Sequence, residues 1–314
     1  MKLLALFCLT VGLAGVSLSA GRSWLPPAAL FEALMNPEGA GRMIWQLRLP
    51  RLLVGLVAGA SFGLAGLVFQ TLLKNPLASP DVIGVTQCAA FGGMVAMVMG
   101  IPLMVGAWTG GVSAVVILAW LSAHPRLGFD PRALVLQGLA LAIFAGAATE
   151  ALILRMSDNG SGMALTWLSG TLNGVAWPEV SQAVWLLPMM LPLLAAGRTL
   201  DRLELGDDLA RALGLPVRSL RVGLGLVAAL VAAGAVSLCG PMGFVALAAG
   251  PIGRLLARGR PSPLAAMVTG AAFVTVADIL TRTIAPVALL PTGLYTSLIG
   301  APVLILAVRR MARS

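Results

Sequence analysis

Four ionisable side chains fall within long apolar stretches of this sequence, where a charge is costly and usually has a function. Glu150 and Arg155 form one group, and Asp278 and Arg282 form another. The four-residue spacing of Asp278 and Arg282 places both on one helix face, where each neutralises the other. We therefore interpret this pair as structural. A proton relay needs several acids along one route, and the sequence offers too few.

A second group of charges opens the segment 205–216, which lies outside the apolar stretches. Asp207 and Asp208 begin it, and Gly214 and Pro216 end it, as expected for a short capped helix. Such a helix can fill a groove on another protein, although a stiff connector without a partner has the same pattern. We assign one helical face to three apolar residues, namely Leu209, Ala210 and Leu213.

Motifs of a self-contained enzyme are absent. A phosphate-binding P-loop needs a lysine after its glycines, and Lys2 and Lys74 both lack that context. Nucleophile elbows, His-Glu-x-x-His helices and paired catalytic carboxylates are absent too. The single histidine, His124, has no ligand partners at metal spacing, and the three cysteines suggest no disulfide framework. We therefore expect no enzyme activity, no metal site and no cofactor.

The elements that carry these residues follow from composition. Of the 314 residues, 59% are hydrophobic and 11% are charged, unlike a soluble domain. A hydrocarbon core about 30 Å thick needs about 20 apolar residues per helix, and backbone in lipid must satisfy its own hydrogen bonds. The alternating pattern of outer-membrane barrels is absent. We predict an all-α membrane protein with a single transmembrane domain over 1–314.

Ten apolar stretches define the predicted spans. The first resembles a signal peptide, but so many spans follow that we expect an uncleaved helix. The eighth is short and contains Gly250-Pro251, which predicts a partial helix broken at that step. The ten spans are 2–20, 50–72, 82–99, 102–122, 132–155, 181–197, 222–239, 243–257, 264–284 and 294–309.

Positive charge gives the orientation. An even number of spans puts both termini on one side, and that side carries fifteen of the 21 lysines and arginines. Because positive residues concentrate on the cytoplasmic side, we predict that both termini are cytoplasmic. The net charge of +9 is then a topology signal, and we expect no nucleic acid partner.

Three glycines in the second span recur at every fourth residue. Gly55, Gly59 and Gly63 therefore share one helix face. Without side chains, this face lets another helix approach closely inside lipid. We predict a helix-packing seam there.

A series of short motifs runs through almost the whole chain. The first group is Arg-Leu-Pro-Arg at 48–51, Gln70, Asn-Pro-Leu-Ala-Ser-Pro at 75–80 and Ile-Gly-Val at 83–85. Later members are Leu-Gln-Gly-Leu-Ala at 136–140, Trp-Leu-Ser-Gly at 167–170, Gly-Pro-Met-Gly-Phe-Val at 240–245, Leu-Pro-Thr-Gly at 290–293 and Ile-Gly-Ala-Pro at 299–302. In this order the motifs resemble FecCD/BtuC-type permeases, the membrane subunits of ABC importers for ferric siderophores, haem and cobalamin.

This resemblance implies a type II importer permease with ten helices. It also implies a second permease subunit, two cytoplasmic ATP-binding cassette ATPase subunits and a substrate-binding protein. Arg48, Arg51 and Arg282 resemble outer arginines that meet carboxylates of the binding protein, although any interfacial arginine can instead anchor a span end.

The resemblance further implies cytoplasmic coupling helices at about 205–221 that contact the ATPase. For the pathway lining we expect Gln70, Gln137 and Gly138. The residues expected to contact the ATPase are Asp208, Leu209, Ala210, Arg211, Leu213, Gly214, Pro216 and Arg254.

Two departures from the family pattern affect the inner surface. Gly250-Pro251 replaces a usual Pro-His, and the usual His-Arg before the ninth span is replaced around Arg260-Pro261. These changes point to a paralogous second permease, although an identical copy stays open.

We therefore predict a multi-pass protein of the bacterial inner membrane, surrounded by lipid, that forms half of an ATP-driven importer pathway for a ferric siderophore complex. Importers for haem, cobalamin or an oxyanion are alternatives. An ion-coupled secondary transporter is another, but it needs acids at mid-membrane, and Glu150 and Asp278 lie near span ends. A membrane enzyme or a structural scaffold has the least support.

Overall fold

The computed structural model describes residues 2–21, 24–121, 131–284 and 290–311, and these residues are almost entirely helical. The first half contains α1 (Lys2–Ser19), α2 (Pro27–Met35), α3 (Ala40–Met43), a π-helical turn (Ile44–Arg48), α4 (Leu49–Leu72), α5 (Val85–Met99), α6 (Leu103–Leu121) and α7 (Pro131–Ile153). The second half contains α8 (Asp158–Leu168), α9 (Trp177–Val184), α10 (Leu186–Ala195), α11 (Gly197–Glu204), α12 (Asp207–Ala212), α13 (Val217–Cys239), α14 (Val245–Leu256), α15 (Pro263–Thr283) and α16 (Thr292–Met311).

Each of the ten predicted spans corresponds to helix in this structure. Among the described residues, seven helices are long and apolar enough to cross a membrane, and α9 to α11 form an eighth candidate with a bend of 46°. The other two predicted spans correspond to α5 and α14, which are shorter apolar helices. The all-α membrane architecture is confirmed, while the count of ten crossings and the cytoplasmic termini stay predictions.

The predicted break in the eighth span is wrong. Helix α14 continues through Gly250 and Pro251 without a break, although it is short as expected. Helix α13 begins at Val217, before the predicted start of the seventh span at 222, and runs without interruption to Cys239, so the last residues of the expected coupling segment form its first turn. Val217 and Arg221 are both buried against the bundle, so the first turn of α13 is held in the helix by packing.

Helix α4 lies at the centre of the bundle and packs on α13, α14 and α15. Its glycines make this possible. A Cβ on Gly59 would collide with the backbone of α15 at Gly270, and one on Gly63 would collide with α15 at Ala266. Gly66, which the sequence prediction did not include, faces the backbone of α14 in the same way. Dispersion contacts between such closely spaced backbones stabilise helix pairs in lipid.

The glycine nearest the N-terminal end of α4 does not make the same close backbone contact as the other two. Gly55 faces the side chains of Leu172 and Val274 rather than backbone. Thus α4 approaches α15 most closely around Gly59 and Gly63, and the two helices diverge enough at Gly55 to admit side chains.

Candidate functional site

The segment between α11 and α13 has the geometry of a short capped helix. Gly206 precedes α12 with a φ of 109°, and Gly214 follows it with a φ of 79°, values that favour glycine. The N–H of Leu215 donates to the carbonyl oxygen of Ala210 at 3.1 Å and closes the final turn. The start and stop signals in the sequence therefore correspond to real helix ends.

The faces of α12 differ from the sequence prediction. Ala210 is fully buried, whereas Leu209 and Leu213 are 55% and 53% exposed. The three residues do not share one face, because consecutive helical residues are about 100° apart and Ala210 points to the bundle. Leu205, at the end of α11, is 57% exposed as well. Three leucines, Leu205, Leu209 and Leu213, thus form an exposed apolar surface, which we call the leucine surface.

Asp207 fixes the start of α12 to the bundle. Its carboxylate accepts hydrogen bonds from both Nη atoms of Arg221 in α13, at 2.6 and 2.8 Å, and from Nζ of Lys74 after α4 at 3.0 Å. Burial raises the pKa of Asp207, but the hydrogen bond from Lys74 and the charge of Arg221 outweigh it, so this pKa lies below its ordinary value. The carboxylate is therefore a stable anion at neutral pH.

Arg254 makes a second link on the same side. The guanidinium of this α14 residue pairs with Glu204 at the end of α11, and its Nη2 donates to Oγ1 of Thr71 in α4 at 2.8 Å. Arg254 is only 7% exposed. Within one chain it therefore connects three helices, and its contact with the ATPase stays a prediction.

The rest of the predicted ATPase surface is more open. Asp208 is fully exposed and accepts a hydrogen bond from Arg211 at 3.1 Å. Gly214 is exposed, and Pro216 immediately precedes α13. Sequence reasoning identified this segment but missed Glu204, Thr71 and Lys74, whose partners are distant in the chain.

At the opposite end of the bundle, two arginines pair with one buried acid. Asp278 is 2% exposed and pairs with Nε of Arg51 at 2.7 Å and with Nη2 of Arg282 at 2.8 Å. Nη1 of Arg51 also donates to Oδ1 of Asn173 at 2.7 Å. The structural pairing of Asp278 with Arg282 is confirmed, and Arg51 is an additional partner.

The end of α1 is bound by the same cluster. Nη1 of Arg48 donates to the carbonyl oxygens of Leu18 and Ser19 at 2.6 and 2.8 Å, and Nη1 of Arg282 donates to those of Ser17 and Ala20 at 3.0 and 3.2 Å. Cations at a helix C-terminus are stabilising because they meet free carbonyls and the negative end of the dipole. These arginines are thus largely occupied within the chain, and their docking role stays a prediction.

The three expected pathway residues lie in different surroundings. Gln70 is buried between α4 and α14, where its Nε2 donates to the carbonyl oxygen of Leu247 at 3.1 Å. Gly138 on α7 packs against the backbone of Ile83. Gln137, its neighbour, is partly exposed. Helix α7, which carries Gln137 and Gly138, also presents exposed apolar side chains, which include Leu136, Leu139, Ile143 and Phe144.

A metal-binding cluster of three or more His, Cys, Asp or Glu side chains does not occur in the described part of the chain. His124 lies outside that part.

The chain is similar in sequence to several permease proteins. The chain is 34% identical over 325 residues to the Fe(3+) dicitrate transport system permease protein FecD of Escherichia coli K12, covering 99% of this chain and 100% of that protein. It is 34% identical to the ferric enterobactin transport system permease protein FepG of the same strain, over 99% and 96% of the two chains. It is 33% identical to the vitamin B12 import system permease protein BtuC of Klebsiella pneumoniae, over 92% and 88%.

A solved structure of a metal-chelate type ABC transporter in an inward-facing conformation matches with a TM-score of 0.86 and 29% identity, over 98% of both chains. The model of the FecCD transport family matches residues 7–310. The chain therefore belongs to the FecCD transport family, as a multi-pass ABC importer permease subunit of the bacterial inner membrane and not an enzyme.

Proposed function

We propose that this chain forms half of the pathway of an importer for a ferric siderophore complex. It works with a second permease subunit, identical or paralogous, with two cytoplasmic ATPase subunits, and with a substrate-binding protein on the outer side.

The leucine surface carries the ATPase part of this proposal. Leu205, Leu209 and Leu213 lie outside the candidate spans, so lipid tails do not cover them, yet each is more than half exposed. Exposed apolar side chains outside the membrane are typical of interaction surfaces, and a short helix flanked by them suits a groove on a partner. Charged residues beside them, Asp208 and Arg211, supply the polar rim of such a contact.

The choice of a ferric chelate rests on the relatives FecD and FepG, which are named for Fe(3+) dicitrate and ferric enterobactin and match the chain over almost its full length. BtuC, named for vitamin B12, matches at a similar identity, so cobalamin is the competing substrate. Uptake of radioactive iron presented as citrate and as catecholate chelates, measured against labelled cobalamin in the same cells, separates the two. Uptake of cobalamin alone would overturn the choice of iron.

The ATPase contact is tested by co-purification. We expect Leu209→Asp together with Leu213→Asp to abolish recovery of the ATPase subunit, because two carboxylates would be buried without partners in an apolar groove. Leu154→Asp is a matched control, since Leu154 is 87% exposed at the opposite end of the bundle. Undiminished ATPase recovery with the double variant would contradict the proposed contact. Substrate uptake that continues without any ATPase would support a secondary transporter instead.

A further inference from the structure

Two charged contacts hold the leucine surface to the bundle from either side of Gly206. On one side, Glu204 pairs with Arg254, which also binds Thr71. On the other side, Asp207 pairs with Arg221 through two parallel hydrogen bonds. Gly206 has a φ of 109°, a conformation that favours glycine, and it separates α11 from α12.

The two contacts differ from ordinary surface ion pairs. The side chains of Arg221 and Arg254 are 6% and 9% exposed, so water and salt screen them weakly. The bidentate contact of Arg221 with Asp207 fixes the relative orientation of the two side chains as well as the distance between them. Lys74, at 40% exposure, adds a weaker contact to the same carboxylate.

One contact leads to α4 and the other to α13. Arg254 binds Thr71 in the last turn of α4. Arg221 belongs to α13, and Lys74, two residues after the end of α4, binds the same carboxylate of Asp207. Helix α4 in turn packs backbone to backbone on α14 through Gly66 and on α15 through Gly59 and Gly63. Close-packed helices of this kind move together rather than deforming.

We propose that Glu204, Arg254, Asp207 and Arg221 are positioning residues that make α12 move as one body with α4, α13, α14 and α15. The proposal rests on the proposed function, because the displacement originates in an ATPase bound at the leucine surface. In this arrangement the ATPase displaces α12, the two contacts carry the displacement to α13 and α14, and α4, which packs on both, delivers it to the other helices around it.

The test measures distances by pulsed electron paramagnetic resonance in the assembled permease–ATPase complex, with and without ATP and vanadate. Spin labels are attached at Leu77→Cys and Ala212→Cys, beside α4 and on α12, and in a second sample at Leu77→Cys and Leu136→Cys, beside α4 and on α7. The background is Cys8→Ser, since Cys8 is exposed whereas Cys88 and Cys239 are buried.

With unaltered contacts, we expect the distance from 77 to 212 to stay constant on trapping and the distance from 77 to 136 to change. With Glu204→Gln and Asp207→Asn combined, the distance from 77 to 212 should become broad and nucleotide-dependent. The fraction of molecules showing the change from 77 to 136 should fall by about fivefold or more, the usual scale of coupling between sites.

Two further variants separate positioning from general damage. The exchange Glu204→Arg with Arg254→Glu keeps an ion pair between α11 and α14 and should restore a constant distance from 77 to 212 when Asp207 is intact. Arg202→Gln is the matched control, because Arg202 is an exposed arginine of α11 without an ion pair among the described residues. It should behave like the unaltered complex.

Failure of this distance test can be told apart from failure of the ATPase co-purification test. A permease that never assembles with an ATPase removes the proposed function and this inference together. A complex that assembles and shows the full change from 77 to 136 despite Glu204→Gln and Asp207→Asn overturns the inference alone.

Discussion

The side-chain amide of Gln70 lies 3.1 Å from the carbonyl oxygen of Leu247, the acceptor that Pro251 leaves without its helical donor. In an α-helix, the N–H of residue 251 would bind the carbonyl four residues earlier, but proline has no N–H. Gln70 supplies the missing hydrogen bond from α4. Gly250 permits this approach, because a Cβ there would collide with Oε1 of Gln70. Gly250 and Pro251, which depart from the family pattern, therefore accommodate the side chain of Gln70, a residue of the family motifs.

Gly250→Ala should destabilise the permease by about 1–3 kcal/mol, the usual cost of overpacking. Apparent melting temperature in detergent measures it. Combining this change with Gln70→Ala should cost less than the sum of the two single changes, since the collision disappears with the amide. Gly223→Ala in α13 is the control, because a Cβ at Gly223 meets nothing within 4 Å. Additive effects of Gly250→Ala and Gln70→Ala would show that the two residues do not interact.

The sequence alone could not predict this role for Gln70. Because Gln70 belongs to a motif, we expected it to line the pathway. Its amide is instead buried against α14, where Ala246 lies 176 residues further along the chain. The donor that satisfies the carbonyl of Leu247 in α14 is distant in the sequence, and no local pattern predicts it. Proline and glycine together predict a break only when no neighbour satisfies the freed carbonyl.

Features set by local spacing were predicted well. Apolar length located the helices, the fourth-residue spacing paired Asp278 with Arg282, and the acids at 207 and 208 and the glycine at 214 marked the ends of α12. Contacts between distant segments were missed, as with Arg51, which is 227 residues from Asp278. The periodicity of α12 was right, but periodicity alone does not say which face meets the bundle, so Ala210 was assigned to the wrong side.

Asp278→Asn should destabilise the isolated permease by about 3–5 kcal/mol, because it leaves Arg51 and Arg282 without their buried counter-charge. Thermal unfolding in detergent gives the difference. Glu150→Gln is a matched control, since Glu150 is an exposed acid near the end of α7. A stability loss no larger than that of the control would show that the buried cluster does not need its acid.

Asp207 should give the permease a pH-dependent stability. Its pKa in the folded chain is lowered from the ordinary 3.8, so its ion pairs stabilise the fold fully above 3.8, and this contribution disappears as the pH falls through the lower folded value. The melting temperature of the unaltered permease should exceed that of Asp207→Asn at neutral pH. The gap should narrow only below about pH 3.8. A gap that closes at mildly acidic pH would contradict the lowered pKa.

Arg51→Gln separates an internal role for this residue from a docking role. Two of its nitrogens donate to Asp278 and Asn173 at 2.7 Å, so removing the guanidinium should lower the stability of the permease alone by about 1–3 kcal/mol. Arg42→Gln should change it little, because Arg42 is exposed and makes no ion pair within the described residues. Both variants are compared by melting temperature without any binding protein present. A residue reserved for docking would leave that temperature unchanged and weaken only the affinity for the binding protein, and this result would show that the contacts with Asp278 and Asn173 do not stabilise the fold.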